Sequence, residues 1–197
     1  MNLEDLKMDI KTSSAITFCR QSLFNSKVWL FEDETAGLAV GSYDDFRFQV
    51  GNYLDTSPNN IAIVGSAKFG FSLHPEKNFK AFHPGSDIDV VIVSPALFEG
   101  TWAQFRLALL RGYDWIQKRH ANEIIRKYIV LSGSEHYETT YLRDIAVMVM
   151  QMRKRVKEGF QIKRSLNYRI YAAWDDVEMY HVSGIEKLQE LVKSDAQ

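Results

Sequence analysis

The stretch Ile61–Val93, IAIVGSAKFGFSLHPEKNFKAFHPGSDIDVVIV, contains the pattern from which the rest of the fold can be argued. Its first four residues are apolar and mostly β-branched, so they predict a short buried strand. Gly65 and Ser66 follow this strand directly, and the residues Ala67–Leu73 predict a helix. A strand, a Gly-Ser turn and a helix N-terminus leave backbone N–H groups directed at one point. This arrangement is typical of an anion-binding site.

Two carboxylates stand at the beginning of a second predicted strand, which starts at Ser86 and continues through the apolar run Val90–Val93. Because side chains alternate along a strand, Asp87 and Asp89 are expected on the same face. Neighbouring carboxylates repel each other unless a cation lies between them, and hard divalent ions prefer such oxygen ligands. The bland alternative is an ordinary strand with two aspartates at its rim. That alternative does not explain why two acids stand directly before a buried apolar run, where burial of their charge is expensive.

The order of these features resembles the signature of the DNA polymerase β-like nucleotidyltransferase superfamily, with Gly65-Ser66 followed by Ser86–Val90 (SDIDV). The resemblance covers this stretch of the chain only. It implies that the Gly-Ser turn binds the phosphates of a nucleoside triphosphate. It also implies that Asp87 and Asp89 are the catalytic residues and hold the metal ions, Mg²⁺ or Mn²⁺.

Two further residues are candidates for nucleotide contacts. Ser86 belongs to the signature itself, and Lys68 lies one turn into the predicted helix, where the alternative is a solvated lysine. The spacing between the Gly-Ser turn and the acids is longer than is usual in the superfamily. The added segment Pro75–Pro84, with Lys77, Lys80 and His83, is therefore predicted to form a loop over the site.

The resemblance also implies a third metal-binding acid on a strand beside the Asp-x-Asp strand. The predicted strand Ser165–Tyr171, SLNYRIY, contains no carboxylate. Asn167 is a weaker candidate ligand on this strand, and Arg169 is a candidate for direct contact with a phosphate. The nearest acids are Asp175, Asp176 and Glu178, which either approach the site from a loop or cap the final helix, with capping the preferred interpretation.

The length and composition of the chain predict one domain, residues 1–197, of the α/β (α+β) class. A mixed β-sheet core of residues 42–100 and 160–180 would carry N-terminal helices, a helical insertion at 101–158 and a helical C-terminal part. A lone cysteine, Cys19, suits a reducing compartment, and no apolar run is long enough to cross a bilayer. These features predict a cytoplasmic protein without membrane insertion.

Capping residues and apolar spacing predict the helices. Thr12–Ser14 are expected to cap a helix that runs to Leu23. Ser42 is expected to open a helix that precedes the first strand. Pro95 is expected to open a long helical region whose apolar stripe includes His120, interpreted as a packed histidine. A further helix is predicted to end at Gly159.

A basic stretch lies near the end of that helix. Residues 101–170 carry fourteen Lys and Arg against six Asp and Glu, and the density is greatest at Met152–Arg164 (MRKRVKEGFQIKR). This stretch predicts contact with nucleotide phosphates or with a nucleic-acid backbone. The alternative is a solvated helix end, where basic side chains favour the C-terminal dipole.

The function predicted from the sequence is metal-dependent transfer of a nucleoside monophosphate from an NTP or dNTP to an acceptor hydroxyl. The acceptor would be a nucleic acid, a nucleotide or a protein, and the resemblance suggests a role in phage defence or in a toxin–antitoxin system with a partner protein. The alternative is a catalytically degenerate member of the fold that binds a nucleotide or a partner.

Overall fold

A computed structural model describes residues 2–32, 39–133 and 135–194. The helices in these residues are Leu3–Thr12 (α1), Ala15–Phe18 (α2), Trp29–Glu32 (α3), Tyr43–Leu54 (α4), Ser66–Phe69 (α5), Pro95–Leu110 (α6), Trp115–Ile125 (α7), Thr140–Gly159 (α8) and Trp174–Ser194 (α9). The strands are Ile61–Val64 (β1), Ile88–Val93 (β2), Tyr128–Ile129 (β3) and Leu166–Tyr171 (β4). A π-helical turn, Cys19–Leu23, continues α2, and short 3₁₀ turns lie at Pro58–Asn60 and Pro75–Lys77.

The four described strands form one mixed sheet in the order β1-β2-β4-β3. Strand β2 pairs antiparallel with β1 and parallel with β4, while β3 pairs antiparallel with β4. The prediction of an α+β fold with a mixed sheet and helical N- and C-terminal parts is confirmed. The predicted strand after Ser165 does lie beside the Asp-x-Asp strand, with Asp89 opposite Asn167.

Strand alternation divides the core into two layers. One face of the sheet, which includes Ile63, Val90 and Tyr168, is buried against α4, α6 and α8. The other face, which includes Val64 and Val91, is buried against α1, α2 and α9. The helices of residues 1–60 therefore pack on both sides of the sheet and do not form the single accessory layer that their position in the sequence suggests.

Local capping explains where several helices begin. The Ser14 side chain accepts a hydrogen bond from the Thr17 N–H at 3.2 Å, and Ser42 accepts one from the Asp45 N–H at 3.0 Å. These bonds satisfy N–H groups that have no partner inside the helix. The prediction that Ser42 opens the helix before β1 is confirmed, and Cys19 is buried beside α2.

The sequence prediction missed three features. Helix α1 is capped by the Asn2 side chain and buries a short stripe that includes Leu6. The long helical region after Pro95 is broken between α6 and α7, where Gly112 has a φ of +88° that a continuous helix cannot include. The stretch 101–158, predicted to be a helical insertion, also supplies the edge strand β3. Two paired residues are too few to show a strand period in the sequence.

Candidate active site

A cleft of about 870 Å³ opens at the end of the sheet where β1 ends and β2 begins. Its walls come from the β1–α5 turn, the start of β2 and residues 72–77, which include the 3₁₀ turn. The end of α7 and one side of α9 complete the walls. The polar and charged residues that line it are Ser66, Ser72, His74, Glu76, Lys77, Asp87, Asp89, Arg126, Lys127, Arg169, Asp176, Tyr180, His181, Ser183 and Lys187.

The Gly-Ser turn brings the backbone close to one of the two acids. Gly65 has φ +69° and ψ −146°, a conformation that essentially only glycine adopts. A Cβ atom built at this position would lie 3.3 Å from the Oδ2 atom of Asp89. The absence of a side chain therefore leaves a gap between the turn and the carboxylate, and a ligand oxygen can approach the backbone there.

Helix α5 is shorter than the sequence predicted. The predicted helix Ala67–Leu73 is instead a single turn, because Gly70 adopts a left-handed conformation and its N–H donates to the Ser66 carbonyl at 2.9 Å. The N–H groups of Ser66 and Ala67 come before the first N–H group that finds an acceptor within the helix, that of Lys68. Helix geometry therefore provides these two N–H groups with no partner. One turn of helix adds little dipole, so an anion at this turn would depend on these N–H groups and the Ser66 hydroxyl.

Asp87 and Asp89 both line the cleft. Strand β2 begins at Ile88, so Asp87 precedes the strand and is exposed, whereas Asp89 lies inside it and is half-buried. Two carboxylates that face one cleft fit Mg²⁺, which uses one or two protein carboxylates and completes its shell with water and substrate phosphate. Among the residues that the structure describes, no group of three or more His, Cys, Asp or Glu side chains is placed to hold a metal ion.

Arg169 is held beside the acids by aromatic rings. Its guanidinium lies 5.3 Å from the Tyr128 ring centre and 5.4 Å from that of Tyr180, and its Nη1 atom is 4.0 Å from Asp89 Oδ1. Cation–π contacts on both rings restrain the long side chain at low cost in conformational entropy. The strand on which the resemblance implies a third acid therefore presents a fixed positive charge to the cleft.

His181 of α9 lies in the same cleft with its ring largely buried. Burial, together with the nearby charge of Arg169, lowers the pKa of His181 to about 4, so the imidazole is neutral at pH 7. Its Nε2 atom makes no hydrogen bond within the described residues. No local pattern in the sequence pointed to this histidine, because its position depends on how α9 packs against the sheet.

Lys68 does not face the cleft, so the structure provides no support for its predicted contact with a phosphate. Its ammonium group donates to the Asn25 carbonyl at 2.7 Å, to the Asn25 side chain at 2.8 Å and to the Lys27 carbonyl. Burial lowers the pKa of Lys68 to about 8. Its role in this structure is to hold the segment before α3 against α5.

Ser86 also lies outside the cleft lining. Its hydroxyl accepts a hydrogen bond from the His83 N–H at 3.0 Å, and its own N–H donates to the His83 carbonyl. Ser86 therefore closes the turn that leads into β2. Of the loop predicted to lie over the site, Lys77 lines the cleft, whereas Lys80 and His83 do not.

The basic stretch lies away from the cleft. No residue of Met152–Arg164 lines it, and the exposed Lys154 and Arg155 lie 4.0 Å from Glu158 of the same helix. Arg164 donates to the Pro84 carbonyl and lies over the Phe82 ring. This placement favours the alternative of a solvated helix end, and contact with a nucleic-acid backbone stays a prediction.

The cleft has basic residues of its own, which come from separate parts of the chain. Besides Arg169, they are Lys77, Arg126, Lys127 and Lys187. These four are exposed, and none forms an ion pair with any of the described residues. Except for Lys77, sequence reasoning missed them because they form no local cluster.

The remaining candidates for a third ligand differ in position. Glu178 is engaged by Arg20, whose Nε and Nη2 atoms donate to its two oxygens at 2.8 and 2.7 Å. Asp175 and Asp176 lie in the first turn of α9, where carboxylates favour the positive end of the helix. Asp176 also lines the cleft, and Asn167 is the residue paired with Asp89.

Within the described ranges, no helix is both long enough and apolar enough to cross a membrane. Comparison of the chain with protein-family models, with curated proteins and with solved structures found no match.

Proposed function

We propose that this protein is a divalent-metal-dependent nucleotidyltransferase of the DNA polymerase β-like type. The observation that carries the proposal is the approach of the Gly65 turn to Asp89, with a gap at the position of the missing side chain. This turn and this carboxylate are adjacent in one cleft, which supports the proposal because transfer from a metal-bound triphosphate needs a phosphate-binding group beside a metal ligand.

Each residue has a role in this reaction. The backbone N–H groups after Gly65 and the Ser66 hydroxyl bind terminal phosphates of the nucleoside triphosphate. Asp87 and Asp89 would hold Mg²⁺ or Mn²⁺. When bound, the metal neutralises charge on the phosphates and lowers the pKa of the acceptor hydroxyl.

The reaction transfers a nucleoside monophosphate. The acceptor oxygen forms a bond to the α-phosphorus, the bond from that phosphorus to the bridging oxygen breaks, and pyrophosphate leaves. The hydroxyl proton passes to solvent. The fixed guanidinium of Arg169 lies where it can donate to a phosphate oxygen and oppose the charge that develops on it.

The cleft favours an acceptor that carries negative charge. Lys77, Arg126, Lys127 and Lys187 line it without ion pairs in the described part of the chain, so their charge is available to a ligand. A nucleic acid, a nucleotide or an acidic protein segment fits these walls better than a polycationic small molecule does.

A second function is favoured by one observation. Arg169 lies near Asp89 on the strand where the resemblance implies a third acid, and a site that lacks this acid could bind nucleotide without catalysis. Under this alternative the protein is a nucleotide-binding module, and the same cleft holds the triphosphate.

The test combines a binding assay with a transfer assay. Thermal melts with each common nucleoside triphosphate, with and without Mg²⁺, report binding, because a ligand of the native state alone stabilises it by RT ln(1 + [L]/Kd). Label from an α-³²P triphosphate reports transfer to RNA, DNA, nucleotide or protein acceptors. Asp87→Asn and Asp89→Asn are expected to abolish transfer, whereas Asp144→Asn, an exposed carboxylate on α8, serves as the matched control and is expected to retain it.

The outcomes separate the two functions. Transfer that depends on both acids supports the enzyme. Metal-dependent binding without transfer to any acceptor supports the binding module. Absence of a triphosphate-dependent shift under all conditions would overturn both.

A further inference from the structure

We propose that the centre takes one divalent cation with the triphosphate, and that Arg169 supplies the positive charge that a second ion would otherwise provide. This inference rests on the proposed function and specifies how its metal site is built. Three observations carry it: the residue paired with Asp89, the positions of the other carboxylates, and the fixed location of the guanidinium.

The first observation concerns the neighbours of Asp89 in the sheet. Its partner on one side is Val64 and on the other side Asn167. Neighbouring strands lie about 4.8 Å apart, and these are the residues directly opposite Asp89 on the two neighbouring strands. An amide oxygen is a neutral ligand, whereas two ions held close together need bridging carboxylates to reduce their repulsion. Asn167 cannot provide that charge.

The second observation concerns the other acids. Glu178 is engaged by Arg20, and Asp176 lines the cleft from the first turn of α9. Glu76 lines the cleft, yet in the part of the chain that the structure describes no third acid or histidine joins Asp87 and Asp89 in a group able to hold a metal.

The third observation is the position of Arg169. Its guanidinium lies 4.0 Å from Asp89 Oδ1 and is restrained by Tyr128 and Tyr180. A guanidinium stays charged at every accessible pH, so it opposes a second cation near Asp89 permanently. It also carries N–H donors that suit phosphate oxygens, so it can replace both the charge and the phosphate contact of a second ion.

The test counts ions directly. Equilibrium dialysis measures Mn²⁺ bound per molecule of bound non-hydrolysable triphosphate, with analogues of each common nucleotide and rising Mn²⁺. The expected ratio for the natural chain is one at saturation. The variant Asn167→Asp combined with Arg169→Gln is expected to raise the ratio to two, because it adds a carboxylate beside Asp89 and removes the opposing charge. Asn167→Ala is the matched control and is expected to keep the ratio at one.

Each result has a distinct meaning. A ratio of two in the natural chain overturns the inference and leaves the proposed function intact. A double variant that folds, as judged by its melt, and still binds one ion also overturns it, because these two residues would then not set the count. Failure of every analogue to bind overturns the proposed function on which the inference rests.

Discussion

Replacement of Gly65 by alanine should damage both the stability and the ligand affinity of this protein. The backbone of Gly65 has φ +69° and ψ −146°, and a residue with a side chain is strained there by about 1–3 kcal/mol. The new Cβ would also lie 3.3 Å from Asp89 Oδ2, so the carboxylate must shift by a few tenths of an ångström. We therefore expect the free energy of unfolding to fall by about 1–3 kcal/mol.

The effect on ligand binding should exceed the effect of strain alone. In the natural protein, a metal–triphosphate complex at a hundredfold excess over its Kd should add about 2.7 kcal/mol of stability. Gly65→Ala fills the gap through which a phosphate approaches the backbone, so most of this increment should disappear. Urea unfolding with and without Mg²⁺ and triphosphate measures both quantities.

Gly112 provides the matched control. It also has a positive φ, +88°, but a Cβ at this position would meet nothing within 4 Å. Gly112→Ala should therefore cost about 1–2 kcal/mol of backbone strain and keep the full ligand increment. Equal ligand increments in Gly65→Ala and in the natural protein would refute the placement of phosphate at this turn, whatever the loss of stability.

Two further predictions concern buried groups beside the cleft. Lys68→Met should lower the free energy of unfolding by about 1–3 kcal/mol, because the carbonyls of Asn25 and Lys27 lose their donor. The triphosphate increment measured in urea should survive, and its loss without a change in stability would restore Lys68 as a phosphate contact. The pKa of His181 is about 4 in the folded protein against 6.5 for free histidine, so the imidazole is protonated more readily in the unfolded chain. The stability that depends on neutral His181 is therefore fully present above pH 6.5, and the free energy of unfolding decreases as the pH falls toward 4. Unfolding measured at pH 7 and pH 4.5 should show that His181→Gln removes this loss of stability, about 2 kcal/mol over that interval, whereas the exposed His136→Gln does not. Parallel pH profiles in all three proteins would contradict the assignment.

Several parts of the fold could be predicted because short-range interactions determine them. Ser42, for example, opens α4 through a hydrogen bond to a residue three positions away. The continuous apolar runs in β1 and β2 require burial on both faces of the strand whatever the surrounding topology, which is why the strands at Ile61 and Val90 could be located. The break at Gly112 escaped prediction because the apolar spacing continued across it, and periodicity reports burial but not continuity of a helix.

The sequence by itself determined that a Gly-Ser turn follows a buried strand and that paired acids open the next one, because these features depend on residues within a few positions of one another. Only the tertiary structure decided which charges meet there. Lys68, close to the turn in sequence, is directed away to Asn25, whereas Arg169, far along the chain, lies 4.0 Å from Asp89. The physical reason is strand register and helix packing. Pairing of β2 with β4 and the path of α9 bring distant segments to one cleft, and no local periodicity encodes that pairing.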